Sequence, residues 1–421
     1  MDAFRIKGGI PLKGEIKIQG AKNAVLPVLA GTVLNKGISK IKNCPKIRDV
    51  ISMISILEEI GCKIVWEKNI LYVDSSTINT SIIPEKFVRE MRSSIILLGS
   101  VLGRLNNVRI SYPGGCSIGT RPIDIHLKSL KKMNVEVIEK NGFIECKTSK
   151  VRGCDLILDY PSVGATENIM LTAVISEGET IITNPAKEPE IIDLQDFLNS
   201  MGANIKGAGT DEIVIKGVNS LHDVEYNIMS DRIVAGTYLV AAAITNGSLY
   251  LTGFKNQYIN SITSKLQEIG CYIKEYSDTI YINAPNRVKA IDQIRTQPYP
   301  GFPTDMQSQF LSLLSVANGT SLVTETIFES RYKNVSELKK MGADIIIEGR
   351  SAIVKGVEQL NGAEVYAKDL RGGAALVLAG LNAQDMTTVF NIDHIFRGYE
   401  NIVRDMKNVG ANIKLIDYEG D

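Results

Sequence analysis

The chain has 421 residues, more than one hydrophobic core ordinarily supports, and its length predicts at least two domains. Hydrophobic residues make up 44% and charged residues 22%, as in an ordinary globular protein, which excludes extended disorder. Because 47 Lys and Arg balance 47 Asp and Glu, no net field attracts nucleic acid or an anionic membrane, and we expect neither as a partner.

The N-terminal residues MDAFRIKGGIPLKG contain no apolar signal core, and nearly apolar stretches such as 234–244 are shorter than the ~18 residues that span a bilayer. We therefore expect a cytoplasmic protein. The six cysteines include no Cys-x-x-Cys pair, and the three histidines form no His-Glu-x-x-His motif. Neither a metal site nor a disulfide framework is expected.

A short motif recurs six times along the chain, at intervals of 68 to 73 residues. Each copy ends a segment with apolar residues at helical spacing and precedes a β-rich stretch. Its second residue, Gly in five copies, predicts a helix cap. The copies begin at Ile60, Met133, Met201, Ile269, Met341 and Val409.

A second helix, uniformly apolar and rich in small residues, precedes the motif helix in each unit, as in DRIVAGTYLVAAAI and DLRGGAALVLAG. A helix that is apolar all round is buried, so these helices are predicted to be inner and the amphipathic ones outer. Six β/α units with a period near 70 residues favour two globular domains of three units each. Charged residues such as Arg92, Asp231, Asp305 and Arg371 lie in the first turns of the inner helices. They either cap their helices or form an anion site with the positive helix ends.

The segment 111–124 places Cys116 among Gly114, Gly115 and Gly119, which predicts a loop and not a helix or strand interior. A thiol in such a loop, close to Arg121, has the features of a nucleophile or proton donor. The other five cysteines are expected to be small buried apolar residues. The glycine spacing is that of a P-loop, but Thr-Arg replaces the required Lys-Ser/Thr, so we reject a nucleotide triphosphatase.

Several motifs together resemble the UDP-N-acetylglucosamine 1-carboxyvinyltransferase family, and the resemblance runs from end to end of the chain. The cysteine loop and the Arg-Pro-x-Asp segment separate this family from the shikimate-pathway enolpyruvyl transferase. The motifs are GAKNAVLP from Gly20, MRSS from Met91, PGGCSIGTRPIDIH from Pro113, SVGAT from Ser162, FPTDMQSQF from Phe302, ETIFESRY from Glu325, DLRGG from Asp369 and HIFRGYE from His394.

This resemblance implies the enolpyruvyl transferase fold, a two-domain inside-out α/β barrel in which helices form the cores. Residues 22–229 are assigned to one domain, and residues 1–21 with 230–421 to the other, with the active site in the cleft. The implied reaction moves the enolpyruvyl group of phosphoenolpyruvate to the 3-hydroxyl of UDP-N-acetylglucosamine, the first committed step of peptidoglycan synthesis. It uses no cofactor or metal, and no obligate protein partner is expected.

The resemblance also implies residue roles. Cys116 is expected to protonate C3 of phosphoenolpyruvate and to react with fosfomycin, Asp305 to act as the base, and Lys22 and Arg397 to join them as catalytic residues. The phosphoenolpyruvate site is assigned to Lys22, Asn23, Cys116, Arg121, Arg331, Arg371 and Arg397. The UDP-N-acetylglucosamine site is assigned to Asn23, Arg92, Arg121, Pro122, Ile123, Asp124, Ile125, Ser162, Val163, Gly164, Asp305 and Ile327. Two residues depart from the family pattern, Tyr160 and Phe396, where relatives carry a basic and an acidic residue.

Two alternatives remain at this point. The first is the shikimate-pathway transferase, which has no use for Cys116 and its loop. The second is a catalytically silent paralogue that binds a UDP-sugar as a sensor, which would not need Lys22, Cys116, Asp305 and Arg397 together.

Overall fold

The computed structural model describes residues 2–113, 118–119 and 122–417. These residues form two compact units, and each has its own hydrophobic core. Unit 1 consists of the described residues in 2–19, 118–119 and 230–417, and unit 2 of those in 20–113 and 122–229.

The elements follow in chain order. The N-terminal part of unit 1 contains β1 (Asp2–Lys7) and β2 (Lys13–Lys17). Unit 2 contains α1 (Lys22–Thr32), β3 (Ile38–Lys42), α2 (Arg48–Glu59), β4 (Lys63–Glu67), β5 (Ile70–Asp74), α3 (Glu85–Glu90), a 3-10 helix (Arg92–Ile96), α4 (Leu97–Leu105), β6 (Asn107–Ser111), α5 (Asp124–Lys132), β7 (Glu136–Lys140), β8 (Phe143–Lys147), β9 (Asp155–Ile157), α6 (Val163–Ala173), β10 (Glu179–Thr183), α7 (Pro189–Ser200), β11 (Asn204–Lys206), β12 (Glu212–Lys216) and β13 (Val224–Asn227).

The rest of unit 1 contains α8 (Arg232–Ile244), β14 (Ser248–Thr252), a 3-10 helix (Asn256–Ile259), α9 (Asn260–Glu268), β15 (Tyr272–Glu275), β16 (Thr279–Asn283), β17 (Gln293–Arg295), a 3-10 turn (Thr304–Met306), α10 (Gln307–Leu314), β18 (Thr320–Thr324), α11 (Val335–Lys340), β19 (Asp344–Glu348), β20 (Ser351–Lys355), β21 (Glu364–Tyr366), α12 (Leu370–Asn382), β22 (Met386–Phe390), a 3-10 helix (Ile392–Arg397), α13 (Ile402–Asn408) and β23 (Asn412–Asp417).

The strands of the described residues form six sheets, three in each unit, which confirms the six predicted β/α units. Five sheets have four strands and the sixth has three. Each four-stranded sheet contains one parallel pair, such as β9 with β10, and two antiparallel pairs, such as β10 with β12 and β12 with β11. An inner helix connects the parallel strands β9 and β10, β17 and β18, and β21 and β22. The sheet orders are β21-β22-β1-β23, β15-β16-β14-β2 and β17-β18-β20-β19 in unit 1, and β13-β3-β5-β4, β11-β12-β10-β9 and β6-β8-β7 in unit 2.

Two strands pair outside the repeat that follows them in the chain. Strand β2 precedes α1 of unit 2, yet it pairs in parallel with β14 of unit 1. Strand β13 precedes α8 of unit 1, yet it pairs in parallel with β3 of unit 2. Strand β1 lies between β22 and β23 and pairs antiparallel with both. Unit 1 is therefore built from both ends of the chain.

The inner helices are buried on all sides, as their composition predicts. All thirteen residues of α8 are buried, as are Leu370–Leu381 of α12. Small residues allow these helices to lie close together. A Cβ atom at Gly99 would lie 2.5 Å from the carbonyl oxygen of Asn168, so the approach of α4 to α6 requires glycine. In the part of the chain that the structure describes, no helix combines the length and apolar character that a membrane crossing needs.

The outer helices bury one face and end in the recurrent motif. In α2, Val50, Met53 and Leu57 are buried. The second motif residue has φ between 89° and 107° in the five glycine copies and 66° in Asn134, which is the left-handed region. The next N–H bonds back to a carbonyl of the last helical turn, as from Cys62 to Leu57 at 2.9 Å. The predicted helix caps are confirmed.

Candidate active site

In unit 1, the carboxylate of Asp305 lies between two buried guanidinium groups. Asp305 belongs to the 3-10 turn that precedes α10. Its Oδ1 accepts a hydrogen bond from Arg331 Nη2 at 2.6 Å, and its Oδ2 accepts one from Arg371 Nη2 at 2.9 Å. The arginine side chains are 3% exposed, whereas the carboxylate is 25% exposed. The three groups carry a net charge of +1, which suits an anionic ligand.

Arg371 is held at the start of α12. Asp369 caps this helix, because its Oδ1 accepts from the N–H groups of Arg371 and Gly372 at 3.0 and 2.9 Å. Burial alone would lower the pKa of Arg371, but nearby negative groups, chiefly the Asp305 carboxylate, raise it above its usual value. Arg371 therefore stays charged in a buried environment.

The acidic residues in the first turns of the inner helices have different environments. Asp231 caps α8 by accepting hydrogen bonds from the N–H groups of Ile233 and Val234 at 2.8 and 3.0 Å. Asp369 caps α12 in the same way. Asp305 lies within its 3-10 turn and accepts hydrogen bonds from two buried arginines. The capping interpretation therefore holds for Asp231 and Asp369, whereas Asp305 has the contacts expected of an anion site.

Two further predicted site residues lie in unit 1. The N–H of Ile327 donates to Glu325 Oε1 at 2.7 Å. A ligand that binds the backbone of Ile327 must therefore donate a hydrogen bond to the carbonyl of Ile327. Arg397 is the last residue of the 3-10 helix Ile392–Arg397 and is half-buried.

In unit 2, Lys22 and Asn23 are the first residues of the inner helix α1. The Lys22 ammonium lies 2.7 Å from Asp49 Oδ2, and the two side chains are 12% and 5% exposed. Asp49 belongs to the first turn of α2, where a carboxylate is favoured by the helix dipole. Sequence reasoning assigned no role to Asp49, which holds Lys22 at the helix start.

The segments predicted to bind the nucleotide are also in unit 2. A cavity of about 710 Å³ is lined by Arg92, Pro122, Ile123 and Asp124, and also by Tyr112, Pro113, Leu127, Lys128, Lys131, Lys132 and Glu139. Asp124 and Ile125 begin α5. Ser162 caps α6, which starts with Val163 and Gly164, and accepts from the N–H of Ala165 at 3.3 Å.

His126 connects the two nucleotide segments. Its ring is buried, and its Nδ1 lies 2.8 Å from Asn168 Nδ2 of α6. A Cβ atom at Gly164 would lie 3.1 Å from His126 Cε1. Burial, with a smaller effect of Arg92, lowers the pKa of His126 from 6.5 to about 4. His126 is therefore neutral near pH 7, and sequence reasoning assigned it no role.

Two residues of the predicted site, Cys116 and Arg121, lie outside the described residues. Of the other five cysteines, which the sequence predicts to be buried, Cys62, Cys146 and Cys271 are buried and Cys154 is half-buried. Burial raises the pKa of Cys62, Cys146 and Cys271 to about 12, and it also raises the pKa of Cys154. Cys44 is buried. A raised pKa disfavours the thiolate, so Cys62, Cys146, Cys154 and Cys271 are poorly suited to nucleophilic chemistry.

The two departures from the family pattern have different environments. Phe396 packs edge to face against the buried Phe4, with ring centroids 5.7 Å apart, so its ring extends the core of unit 1. Tyr160 is 45% exposed, and its carbonyl accepts from the N–H of Ser162 at 2.7 Å.

Comparisons with known proteins agree with this fold. A profile of the EPSP synthase (3-phosphoshikimate 1-carboxyvinyltransferase) family matches residues 6–406. The enolpyruvyl transferase NikO from Streptomyces tendae is similar in structure, with a TM-score of 0.89, 23% identity and 98% of each chain covered. EPSP synthase from Acinetobacter baumannii has a TM-score of 0.77 at 18% identity, with 99% of this chain and 100% of that chain covered. The fold is that of the enolpyruvyl transferases.

Relatives in sequence show which group of enolpyruvyl transferases the chain belongs to. UDP-N-acetylglucosamine 1-carboxyvinyltransferase 2 from Caldanaerobacter subterraneus subsp. tengcongensis is 55% identical over 416 residues, which are 99% of this chain and 100% of that protein. UDP-N-acetylglucosamine 1-carboxyvinyltransferase from Halothermothrix orenii is 48% identical over 416 residues, with the same coverage. The chain belongs to the EPSP synthase family and, within it, to the UDP-N-acetylglucosamine 1-carboxyvinyltransferases.

Proposed function

We propose that the chain transfers the enolpyruvyl group of phosphoenolpyruvate to the 3-hydroxyl of UDP-N-acetylglucosamine and releases phosphate, as the first committed step of peptidoglycan synthesis. The relatives named for this reaction, 45% to 55% identical over nearly the whole chain, support the proposal. The single structural observation that carries it is the Asp305 carboxylate between Arg331 and Arg371. We propose that the enzyme works in the cytoplasm.

The reaction is an addition followed by an elimination. In the addition, the sugar oxygen bonds to C2 of phosphoenolpyruvate, C3 takes a proton from Cys116, and the hydroxyl proton goes to Asp305. In the elimination, C3 returns a proton to the Cys116 thiolate as the bond from C2 to the phosphate oxygen breaks, which restores the double bond. The released phosphate takes the proton held by Asp305, so both side chains return to their starting states. Lys22, Arg121 and Arg397 bind the phosphate, and Asn23 contacts the substrates near the reacting atoms.

The arginine contacts of Asp305 suggest how the base is prepared. A carboxylate bound by two guanidinium groups is a weak base, because both cations favour its charged form. In this proposal, the carboxylate of phosphoenolpyruvate binds Arg331 and Arg371 and competes with Asp305 for the same N–H donors. Asp305 then receives fewer hydrogen bonds from the guanidinium groups and becomes a stronger base, so it accepts the hydroxyl proton more readily. Binding of the phosphoenolpyruvate carboxylate thereby prepares Asp305 to accept the proton of the sugar hydroxyl.

We further propose that the nucleotide occupies the cavity beside Arg92 and Asp124, with its diphosphate toward the α6 N-terminus at Ser162. The N-terminus of α6 presents N–H groups and the positive end of a helix dipole, which suit a diphosphate. The two units are proposed to be the two substrate-binding domains of the family, 22–229 and 1–21 with 230–421.

Phosphate release tests the function. Purified protein is mixed with phosphoenolpyruvate and UDP-N-acetylglucosamine, and inorganic phosphate is measured against time. Shikimate 3-phosphate replaces the nucleotide sugar in a parallel reaction. We expect release with the nucleotide sugar and none with shikimate 3-phosphate. The opposite pattern would assign the chain to the shikimate pathway, and release with neither acceptor, despite binding of the nucleotide sugar, would support the silent paralogue.

A further inference from the structure

Glu325 is a buried carboxylate of unit 1 that is held by hydrogen bonds. It follows β18 and is 0% exposed. No Lys, Arg or His of the described ranges forms an ion pair with it. A buried charge is costly unless hydrogen bonds satisfy it, so its contacts require an explanation.

Four donors from three segments converge on this carboxylate. Oε1 accepts from Thr296 Oγ1 at 2.9 Å and from the N–H groups of Ile327 and Phe328 at 2.7 and 3.1 Å. Oε2 accepts from Thr304 Oγ1 at 2.9 Å. Hydrogen bonds to a charged acceptor are stronger than those between neutral groups.

Two of these donors belong to segments of the proposed active site. Thr304 precedes Asp305 in the same 3-10 turn, so the contact at 2.9 Å fixes the turn that carries the proposed base. Ile327 is a proposed contact of the nucleotide sugar, and its N–H is fixed by the same carboxylate. One side chain therefore sets the spacing between these two segments.

The surrounding backbone reinforces this arrangement. The N–H of Thr326 donates to Thr296 Oγ1 at 2.8 Å, and the hydroxyl of Thr326 donates to the carbonyl of Thr296 at 2.5 Å. The N–H of Glu325 itself donates to the carbonyl of Arg350 at 2.8 Å. Thr296 thus accepts from one neighbour while it donates to Glu325, which fixes the direction of its hydroxyl proton.

We infer that Glu325 is a positioning residue, which holds the turn of Asp305 and the backbone of Ile327 in the register that the transfer reaction needs. This inference rests on the proposed function. Glu325 does not touch the reacting atoms, so its effect passes through Asp305 and the nucleotide sugar.

The test compares two buried glutamates of unit 1. E325Q keeps the shape but brings an amide NH₂ toward donors, so at least one donor loses its acceptor. We expect kcat to fall about 10- to 100-fold, in the range that small misplacements of catalytic groups produce, and KM for UDP-N-acetylglucosamine to rise. The control is E337Q, because Glu337 is 3% exposed and binds Lys340, Lys368 and the N–H of Tyr366. E337Q should lower thermal stability and leave kcat and KM at the values of the parent.

Two further measurements separate positioning from simple loss of folding. T304V removes the hydroxyl donor and should lower kcat. T304S keeps the hydroxyl, so its kcat should be closer to that of the parent. Amide hydrogen exchange at Ile327 and Phe328 should be faster in E325Q than in E337Q. Parental kcat and KM in folded E325Q would overturn the role of Glu325. Absence of phosphate release by the unsubstituted enzyme would instead overturn the proposed function. Hydrogen exchange at Ile327 and Phe328 would still show whether Glu325 holds these two amides.

Discussion

At the scale of single residues, Asp305 combines two duties. It is the proposed base, and it also neutralises Arg331 and Arg371, whose side chains are 3% exposed. Its replacement therefore affects both rate and stability, which the sequence alone did not indicate.

Asp305→Asn tests both duties. The variant should lower kcat by ~10²-fold or more, because the amide cannot accept the hydroxyl proton. It should also lower the free energy of unfolding by about 2 kcal/mol, less than the ~3–5 kcal/mol of a fully buried pair because Asp305 is partly exposed. Steady-state kinetics well below the melting temperature, with urea unfolding in parallel, measure the two effects.

Asp231→Asn is the matched control for that variant. Asp231 caps α8, and Asn caps a helix about as well as Asp, but the Asp231 charge also favours the charged form of the buried Arg371. We therefore expect kcat to remain close to that of the parent and the free energy of unfolding to fall less than in Asp305→Asn. Near-normal kcat in folded Asp305→Asn would remove Asp305 from the proton transfer.

His126 should make unit 2 sensitive to acid. Its pKa is lowered to about 4 in the folded state, so the unfolded chain binds the proton more tightly. The free energy of unfolding therefore keeps its full value above about pH 6.5. It decreases as the pH falls from 6.5 toward 4, by ~2 kcal/mol at pH 5. Urea unfolding of the parent and of His126→Gln between pH 4 and 7 measures this difference. If the free energy of unfolding of His126→Gln depends on pH as steeply as that of the parent, the assignment is refuted.

Sequence reasoning was informative about residues in motifs and uninformative about their partners. Lys22, Asp305 and Arg371 stand in motifs that a sequence displays. Asp49 and His126 act through contacts with residues 27 and 42 positions away, and Glu325 joins its own segment to Thr304 and Thr296, 21 and 29 positions away. No local pattern marks such contacts. The cysteine loop was singled out by its composition, three glycines around one thiol.

At the scale of elements, the recurrent motif predicted both the helix ends and their backbone conformation. Gly410 offers a clean test, because its φ is +98° and a Cβ there would meet no atom within 4 Å. Gly410→Ala should lower the free energy of unfolding by ~1–2 kcal/mol through backbone strain alone. Gly410→Asn should lower the free energy of unfolding by less, since Asn134 occupies the same position of the motif with φ +66°. Equal stability of the parent and the Ala variant, measured by urea unfolding, would contradict this account.

The sheets that β2 and β13 join could not be predicted from the sequence. Both are short strands beside an inner helix, like β9 and β17, and their composition does not show which sheet they join. A strand's partner is decided by the tertiary arrangement and by the connection, and the repeat pattern alone predicts pairing within the repeat.

At the scale of the molecule, the two units should differ in their ability to fold alone. Residues 20–229 contain all strands and the whole core of unit 2, so this segment should unfold cooperatively by circular dichroism. Residues 230–421 lack β1 and β2, and β1 is an inner strand between β22 and β23. That segment should not show a cooperative transition.

A permuted chain provides the control. Asp2 pairs with Asp417, so a short flexible linker from the C-terminus to residues 1–19 should restore folding of residues 230–421. A cooperative transition in 230–421 alone, equal to that of the permuted chain, would refute the requirement for β1 and β2.

The position of β1 also bears on synthesis at the ribosome. Translation proceeds at ~5–20 residues per second, so β1 waits roughly 20 to 75 s before β22 and β23 emerge, while unit 2 is completed and folds. Throughout that time Ala3, Phe4 and Ile6, all 0% exposed in the finished protein, have no partner strand. Strand β1 is therefore made long before the two strands that flank it, and the nascent chain carries the apolar residues of an unpaired strand until β22 and β23 have been synthesised.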